Sequence, residues 1–389
     1  MLDIERTRTA IREEGLDGWL FLTMHHRDEI ADEALGIGRG RMNTRQWAYL
    51  IAVDRPPIAI VHDIEPSILD HLPGQSIRYH AREAFLSALA RALPRGSRIA
   101  AQFSPDIPIG SFLDHGTAQL LQGLGVTLVP SANLVARCLG ALEPEGVRSH
   151  EAAAAVLYEA VAAAWARIVE EIGRGVPVRE GDVQGWISAH LAAAGLVSDA
   201  PPHVAAGANS ANPHYELSGS GARLERGSVV QFDVWAREDS PAAVFADISW
   251  VGVVDRTPSA EQQAAFDAVV HAREASIDLI SRSLAEGREV RGRDVDEAAR
   301  ACLQARGFGR AVRHRTGHAI GHRVHGYGVN LDSVEFPDSR PLREGACFSI
   351  EPGVYLEQFG MRTEVNGLIR GGALAISGGD RQRALLTLG

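Results

Sequence analysis

The sequence predicts an α+β fold with two domains. Its 389 residues exceed what one hydrophobic core usually needs, which favours two domains. Segments with the alternation of β-strands are interleaved with amphipathic helical segments in both halves. Pro144 and Gly146 interrupt the chain between these halves. We therefore expect a mixed α/β domain over 1–145 and a second α/β domain over 146–389.

The first domain is predicted from short apolar strands between helices. It opens with a helix over Ile4–Glu14, and AYLIAVDRPPIAIVHD predicts two strands joined at Asp54–Pro57. The remaining predicted elements are strands in DGWLFLTM, SRIAAQFS and GVTLVPS and helices in REAFLSALARALPRG and HGTAQLLQGLG. One loop contains four polar residues, His25, His26, Asp28 and Glu29, for which we expect solvent exposure rather than a site.

The second domain is predicted from repeated helix-then-strand segments. A long Ala-rich helix runs from Ser149 to about Gly173 with an apolar stripe. Its most apolar run, Ala152–Ile168, contains Glu159 and Arg167 and is too short to predict a membrane span. Further helices are expected over Glu180–Gly195, Gln262–Ala285 and Val295–Gly307, with a β-hairpin and a β-rich C-terminus. This order indicates an internally duplicated α/β layer.

Composition excludes several classes of function. The net charge is -10 and the pI about 5.8, which argues against nucleic-acid or anionic-membrane partners. There is no lysine, so Schiff-base, pyridoxal-phosphate and P-loop lysine chemistry are excluded. The 3 cysteines form no CxxC motif and predict thiols in a reducing compartment. The N-terminus has no apolar signal core, so we expect a cytoplasmic protein.

The first candidate site residues are two aspartates in predicted strands. QFDVW contains Asp233 and FADISWVG contains Asp247, and REDSP between them supplies a turn. A hairpin would bring the two side chains together. Large apolar neighbours disfavour the alternative of two solvent-facing aspartates, since a buried unpaired carboxylate is costly.

A histidine-rich segment provides the next candidates. RHRTGHAIGHRVHGYG contains His314, His318, His322 and His325. Its glycines argue against a helical HExxH arrangement and favour a strand that continues into a glycine-rich loop. The segment is short enough for these side chains to converge, although we expect one or two of them to face solvent.

Two glutamates complete the candidate set. FSIEPGVY contains Glu351 and GMRTEVN contains Glu364, both beside apolar strand residues. Together with Asp233, Asp247 and His318 they form an oxygen-rich ligand set for Mn²⁺, Fe²⁺, Co²⁺ or Zn²⁺. Two such ions about 3.5–4 Å apart can share a hydroxide and polarise a carbonyl, which indicates hydrolysis.

In this order, the five motifs resemble those of the pita-bread metallopeptidases, which include prolidase, aminopeptidase P and the metal-free creatinase. The resemblance covers Arg148–Leu388, and residues 1–145 look like the creatinase/prolidase N-terminal domain. It implies a pita-bread catalytic domain over 146–389 and a homodimer. It also implies a dinuclear-metal exopeptidase that cleaves Xaa-Pro bonds of small peptides with a bridging hydroxide. We expect two Mn²⁺ ions, with Co²⁺, Zn²⁺ or Fe²⁺ as alternatives.

The resemblance also implies roles for individual residues. Asp233 and Asp247 would bind one metal, with Asp247, Glu351 and Glu364 reaching across the pair and His318 as the imidazole ligand. Glu351 would accept a proton. The histidines expected at the substrate are His325, His214 in ANPHY, and His314.

Two arginines are candidates for substrate binding. Arg362 precedes Glu364 by two residues and could orient it or meet a substrate carboxylate. Arg340 lies in the loop before Glu351 and could also bind a carboxylate, with solvent exposure as the alternative. These arginines favour prolidase slightly over aminopeptidase P.

The sequence departs from the family pattern in three places. The two aspartates are 14 apart where 11 is usual, Ser249 replaces a common threonine, and Val365 replaces an acid. None of these changes removes a predicted ligand. The alternatives that remain are a lyase or a C–N hydrolase acting on a small non-peptide substrate. A non-catalytic peptide-binding module is disfavoured because such proteins typically lose ligands.

Overall fold

The computed structural model describes every residue, Met1–Gly389, and divides the chain into two compact units, Met1–Leu139 and Gly140–Gly389. Both units mix helices and strands, which confirms the predicted fold class. The sequence predicts a boundary at residue 145, and the names given to the two domains stay predictions.

The first unit is a mixed six-stranded sheet with helices. Its strands are β1 (Gly18–Thr23), β2 (Trp47–Ala52), β3 (Ile58–His62), β4 (Gln75–Tyr79), β5 (Arg98–Ala101) and β6 (Thr127–Pro130). The sheet order is β4-β3-β2-β1-β5-β6. Its helices are α1 (Ile4–Glu13), α2 (Glu29–Leu35), α3 (Arg82–Ala92), α4 (His115–Gly123) and α5 (Ala132–Cys138). Phe85 and Leu89 of α3 belong to the same buried core as Leu20 and Leu50 of the central strands.

The expectation of solvent exposure was wrong for Asp28, whereas His25 is exposed as predicted. Asp28 is 3% exposed, and its carboxylate accepts a hydrogen bond from the Ala31 amide at 2.9 Å as the N-cap of α2. An acidic N-cap satisfies an otherwise unpaired helix amide, which explains its burial. His25 and His26 before it adopt positive φ of 58° and 51°.

The second unit contains two pairs of helices. They are α6 (Pro144–Gly173), α7 (Glu180–Ala193), α8 (Ala260–Ala285) and α9 (Gly292–Ala305). The prediction that Pro144 and Gly146 break the chain was wrong, because Pro144 stands at the first turn of α6. Proline is tolerated there, since its missing N–H would have no helical partner.

Helix α6 is longer than the apolar run predicted. By length and composition alone it could cross a membrane, a test that buried core helices also pass. In this structure Leu157, Val161 and Ile168 of α6 belong to the same buried core as Phe232 and Ile248. The apolar character of α6 is therefore used in packing.

The strands of the second unit form small sheets. They are β7 (Leu196–Val197), β8 (His203–Ala206), β9 (Val229–Glu238), β10 (Ala246–Val253), β11 (Cys347–Ile350), β12 (Gly353–Tyr355), β13 (Gly360–Arg362), β14 (Val365–Arg370) and β15 (Ala373–Ile376). One sheet has β9 between β10 and both β7 and β8, another is β11-β14-β15, and β12 pairs with β13.

The two halves of this unit repeat the same contacts. The Leu224 amide donates to the Val178 carbonyl before α7, and the Leu342 amide donates to the Val290 carbonyl before α9, each at 2.9 Å. Before the second helix of each pair, an arginine amide donates to an aspartate of the first turn: Arg179 to Asp182 at 2.8 Å and Arg291 to Asp294 at 3.0 Å. These repeated contacts agree with the predicted duplication.

Candidate metal centre

The β9–β10 hairpin presents two aspartates on one face. Asp233 is directly opposite Ser249, and Asp247 is opposite Trp235, so the two aspartates are diagonal neighbours. Residues two apart on a strand share a face, which places both carboxylates on the same side. Asp247 is buried and Asp233 is half-buried. The longer aspartate spacing is accommodated by the connection over 239–245.

His318 lies in an extended segment rather than in a strand. The His318 amide donates to Ser349 Oγ at 2.9 Å, and the Ser349 amide donates back to the His318 carbonyl at 2.8 Å. Glycine is required just before it, because a Cβ at Gly317 would meet the Ser349 carbonyl oxygen at 2.0 Å. This close approach fixes His318 beside β11.

The two glutamates each follow a strand. Glu351 comes after β11, and its amide donates to the Thr316 carbonyl at 2.7 Å. Glu364 lies between β13 and β14, and its amide donates to the Ser249 carbonyl at 3.0 Å. Backbone hydrogen bonds therefore tie both glutamates to the segments that carry the other candidate ligands.

All five predicted ligand side chains come together. Atoms of Asp247, His318 and Glu364 lie within 4.8 Å of one another. His318 Nε2 is 3.4 Å from Asp247 Oδ2 and 3.6 Å from Glu351 Oε1. Asp233 joins through Ser249, whose Oγ is 3.1 Å from Asp233 Oδ1 and 2.9 Å from Glu364 Oε2.

A buried arginine connects two of the carboxylates to a tyrosine. Arg362 pairs with Asp233, and its Nε lies 3.6 Å from Glu351 Oε2. Its Nη1 donates to the Tyr355 oxygen at 3.1 Å, and the Tyr355 hydroxyl lies 2.7 Å from His314 Nε2. Arg362 thus contacts Asp233 and Glu351 rather than Glu364, the residue that the sequence suggested it would orient.

Burial and mutual repulsion shift the pKa values of the carboxyl groups in the cluster. Burial, with the charges of Asp233 and Glu351, raises the pKa of Asp247 to about 7 although His318 opposes the shift. Burial and then Asp247 raise the pKa of Glu364 well above its ordinary value. Burial works against ionisation of Glu351 as well, but His318 and the other nearby cations hold its pKa below the usual value.

These residues fit a site for divalent cations. Two buried carboxylate oxygens, Asp247 Oδ1 and Glu364 Oε1, have no hydrogen-bond partner. His318 Nδ1 lies 3.2 Å from the Ala319 carbonyl, and its Nε2 faces Asp247 and Glu351. A neutral His318 with its proton on Nδ1 would offer the Nε2 lone pair to a cation held by these carboxylates. Asp233, Asp247, His318, Glu351 and Glu364 could therefore hold metal ions.

The other predicted site residues occupy different surroundings. His325 is exposed, and its ring centroid is 4.4 Å from that of His318. His214 is exposed on the segment between β8 and β9. Arg340 is buried against Asp338, with its Nη2 donating to the Gly328 carbonyl at 2.6 Å. The alternative of solvent exposure does not hold for Arg340, and its predicted role in substrate binding stays a prediction.

Two residues beside this cluster were missed in the sequence. His203 on β8 is directly opposite Asp233, with its Nδ1 3.6 Å from Asp233 Oδ2 and its side chain 32% exposed. Asn366 on β14 accepts from the Asp247 amide at 2.9 Å. Asn366 could have been found in the sequence, because a polar residue within an apolar strand indicates a specific contact. His203 could not, because only the pairing of β8 with β9 places it opposite Asp233.

Comparison with known proteins identifies the family. A model described as metallopeptidase family M24 matches residues 148–370, more than half of the chain. The chain belongs to this family. The matched range contains the whole candidate cluster, and the resemblance to pita-bread metallopeptidases is confirmed.

M24 relatives include named peptidases. An Xaa-Pro dipeptidase of Lactobacillus helveticus is 33% identical over 167 residues, which cover 43% of this chain and 41% of that protein. The sequence match thus spans about two-fifths of such relatives. Dipeptidase PepE of Mycobacterium ulcerans has a TM-score of 0.73 at 22% identity, over 99% of this chain and 96% of that one. The N-terminal domain of the FACT complex subunit SPT16 from chickpea has a TM-score of 0.66 at 14% identity, covering 98% of each chain. The fold alone therefore does not specify an activity.

Proposed function

We propose that this M24 chain is a metal-dependent exopeptidase that hydrolyses Xaa-Pro bonds. The proposal is carried by the grouping of Asp247, His318 and Glu364, which Glu351 joins beside His318 and Asp233 joins through Ser249, with two buried carboxylate oxygens lacking partners. Four carboxyl groups share this buried place with the guanidinium of Arg362, so their full ionisation would leave excess negative charge, and burial accordingly raises the pKa of Asp247 and Glu364. Divalent cations would compensate this charge, whereas a non-catalytic module would have no use for it.

The proposed metal ligands are the five clustered residues, Asp233, Asp247, His318, Glu351 and Glu364. Divalent ions bound there would polarise the scissile carbonyl and make water more acidic. We take two Mn²⁺ ions as the working assumption. The ion count and identity are decided by metal analysis rather than by the ligand set, since Co²⁺, Zn²⁺ and Fe²⁺ accept the same donors.

Three residues are proposed to act on the substrate. Glu351 has the lowered pKa of the cluster, so its carboxylate is ionised and can accept a proton. His325, exposed beside His318, can donate a hydrogen bond to the developing oxyanion. His214 is exposed on its loop and is proposed to contact the substrate near the scissile bond.

The arginine argument for a dipeptide substrate loses support. Both Arg362 and Arg340 are buried and paired with protein carboxylates, so neither guanidinium faces solvent in the way a carboxylate clamp needs. We keep the dipeptide as the first proposed substrate, because an Xaa-Pro dipeptidase is among the relatives that match this chain's sequence. A homodimer likewise stays a prediction.

The test combines metal content with hydrolysis of a small peptide panel. Purified protein is assayed with Xaa-Pro dipeptides, Xaa-Pro-Yaa tripeptides and dipeptides without proline. We expect bound divalent metal and cleavage of Xaa-Pro dipeptides. Cleavage of only the tripeptides would assign the aminopeptidase P type instead, and bound metal without any peptide cleavage would favour a lyase or C–N hydrolase.

Variants separate metal binding from chemistry. Asp247→Ala is expected to abolish turnover and metal occupancy together. His325→Ala is expected to keep the metal and lower the rate by about 10²–10⁴-fold. His271→Ala, an exposed histidine on α8, is the matched control and is expected to change neither property. Full activity in Asp247→Ala would contradict the proposal.

A further inference from the structure

Among the fully buried carboxylates outside the metal cluster, two lie on the second helix of each helix pair, one in each half of the repeated unit. Glu180 is the first residue of α7 and Asp296 is the fifth residue of α9, and both are 0% exposed. Positions four apart lie on the same face of a helix, so the two carboxylates project from equivalent faces of α7 and α9. Neither residue accepts the amide before its own helix, which donates to Asp182 or Asp294 instead.

Glu180 binds one distant segment at both of its ends. Its Oε1 accepts from the Ala206 amide at 2.6 Å and from Asn209 Nδ2 at 2.9 Å. Its Oε2 accepts from the Tyr215 hydroxyl at 2.8 Å and from the Ala222 amide at 2.7 Å. These four donors bracket residues 206–222, which run from the last residue of β8 into its connection to β9.

This connection carries His214. Tyr215, the residue after His214, is one of the four donors to Glu180. On the other side, Ser210 Oγ accepts from the Gly360 amide at 3.0 Å, at the start of the strand that bears Arg362. His214 is exposed between two such attachments, and its amide donates to Asn212 Oδ1 at 3.0 Å within the same segment. Its position therefore depends on how this segment is attached.

Asp296 binds the histidine-rich segment in the same way. Its Oδ1 accepts from the Thr316 amide at 2.9 Å and from the Thr316 hydroxyl at 2.6 Å. Its Oδ2 accepts from the Ser333 amide at 2.8 Å and from Arg300 Nε at 2.7 Å. The Thr316 carbonyl in turn accepts from the Glu351 amide at 2.7 Å.

Asp296 is therefore attached to two proposed metal ligands through one residue. Thr316 is two residues before His318 along the chain and is bonded directly to the Glu351 backbone. A displacement of Thr316 would move both ligands together. No donor to Glu180 comes from α7, and Arg300 alone among these Asp296 donors belongs to α9, so both carboxylates hold other segments onto their helices.

We propose that Glu180 and Asp296 are paired positioning residues: Glu180 sets His214 and Asp296 sets His318 and Glu351. The inference rests on the proposed function, since it assigns consequences for metal binding and turnover. Loss of the two carboxylates should therefore have different consequences. Loss of the Glu180 contacts impairs turnover with metal retained, and loss of the Asp296 contacts weakens metal binding itself.

The Glu180 arm uses Glu180→Gln, with Tyr215→Phe as the milder variant. In Glu180→Gln the side-chain NH₂ group must face the backbone amide of either Ala206 or Ala222, and because NH₂ is a donor, that hydrogen bond is lost. We expect kcat to fall about 10–100-fold, since small misplacements of reacting groups have effects of this size. Mn²⁺ affinity should not change, and amide hydrogen exchange in residues 206–222 should rise. Asp182→Asn, which alters only the α7 cap, is the matched control.

A double variant tests whether Glu180 acts through His214. Adding Glu180→Gln to His214→Ala should change kcat less than about threefold, because coupled residues are non-additive. The full 10–100-fold loss in the His214→Ala background would overturn the positioning role. So would unchanged kcat together with unchanged exchange in residues 206–222.

The Asp296 arm measures Mn²⁺ binding to metal-free protein by calorimetry. Asp296→Asn places an NH₂ group against several donors, and we expect Mn²⁺ affinity to fall about 10–100-fold, as for other residues that orient metal ligands. Asp294→Asn, the cap of the same helix, is the control and should bind as wild type does. Wild-type affinity in Asp296→Asn would overturn this arm.

Different results would contradict the proposed function and the positioning roles of Glu180 and Asp296. Wild-type protein that neither binds Mn²⁺ nor cleaves Xaa-Pro peptides would contradict the proposed function, and hydrogen exchange would still test the Glu180 attachment. Wild-type protein that does both, with each variant matching its cap control, would contradict only the positioning inference.

Discussion

Replacement of Glu364 by glutamine should stabilise the metal-free protein and reduce its stabilisation by metal. Glu364 Oε1 is buried without a hydrogen-bond partner, and Oε2 accepts from Ser249 Oγ at 2.9 Å. In Glu364→Gln the amide oxygen can keep the Ser249 contact, and the neutral NH₂ group can donate to the carboxylate of Asp247. An unsatisfied buried polar group costs about 1–3 kcal/mol, so the variant should gain roughly that amount.

The gain should depend on pH in a defined direction. Burial, and then Asp247, raises the pKa of Glu364 above the ordinary 4.5. A raised acid pKa in the folded state favours folding fully below 4.5, and this contribution is lost as pH rises toward the folded pKa. The stability difference between Glu364→Gln and wild type should therefore be small near pH 4 and larger at pH 7.

Metal should reverse the order of stability. A ligand at 100 times its Kd stabilises the folded state by about 2.7 kcal/mol, and Mn²⁺ should do this for wild type and much less for Glu364→Gln. Urea unfolding with EDTA or with Mn²⁺ measures both effects. Glu357→Gln, on an exposed turn, is the control and should stay within about 0.5 kcal/mol of wild type. A less stable metal-free Glu364→Gln, or an equal gain from Mn²⁺, would refute this reasoning.

Two further predictions concern packing and burial. Gly317→Ala places a Cβ 2.0 Å from the Ser349 carbonyl oxygen, so it should displace His318 and weaken Mn²⁺ binding measured by calorimetry; Gly321→Ala, which meets nothing within 4 Å, should bind as wild type does. Burial raises the pKa of Asp28 to about 7, so its contribution to stability is lost as pH rises from about 4 to 7. Asp28→Asn keeps an N-cap oxygen and should raise the melting temperature at pH 8 but not at pH 4, and an equal shift at both pH values would contradict this.

The acidic candidate ligands could be found in the sequence because each lies among apolar strand residues, where a solvated charge is not expected. Asp233 and Asp247 stand among residues that alternate as buried strands do, and a buried acid needs a partner. The same signal located Glu351 and Glu364. His318 was identified together with three other histidines and could be separated from them only by the motif order and by its contact with Ser349.

Features that depend on long-range pairing could not be found in this way. His203 is one histidine in a Pro-rich stretch, and only the β8–β9 register places it opposite Asp233. The strand β4 has mostly exposed side chains and exists through pairing with β3, so it lacks the apolar alternation that predicts strands. Arg340 was expected at a substrate, although Asp338 two residues earlier is the partner the structure gives it.

Anomalous diffraction from crystals grown with Mn²⁺ would show directly whether the five clustered side chains bind metal. We expect two peaks within coordination distance of Asp233, Asp247, His318, Glu351 and Glu364. Peaks only elsewhere on the molecule, or none at this cluster, would contradict this expectation.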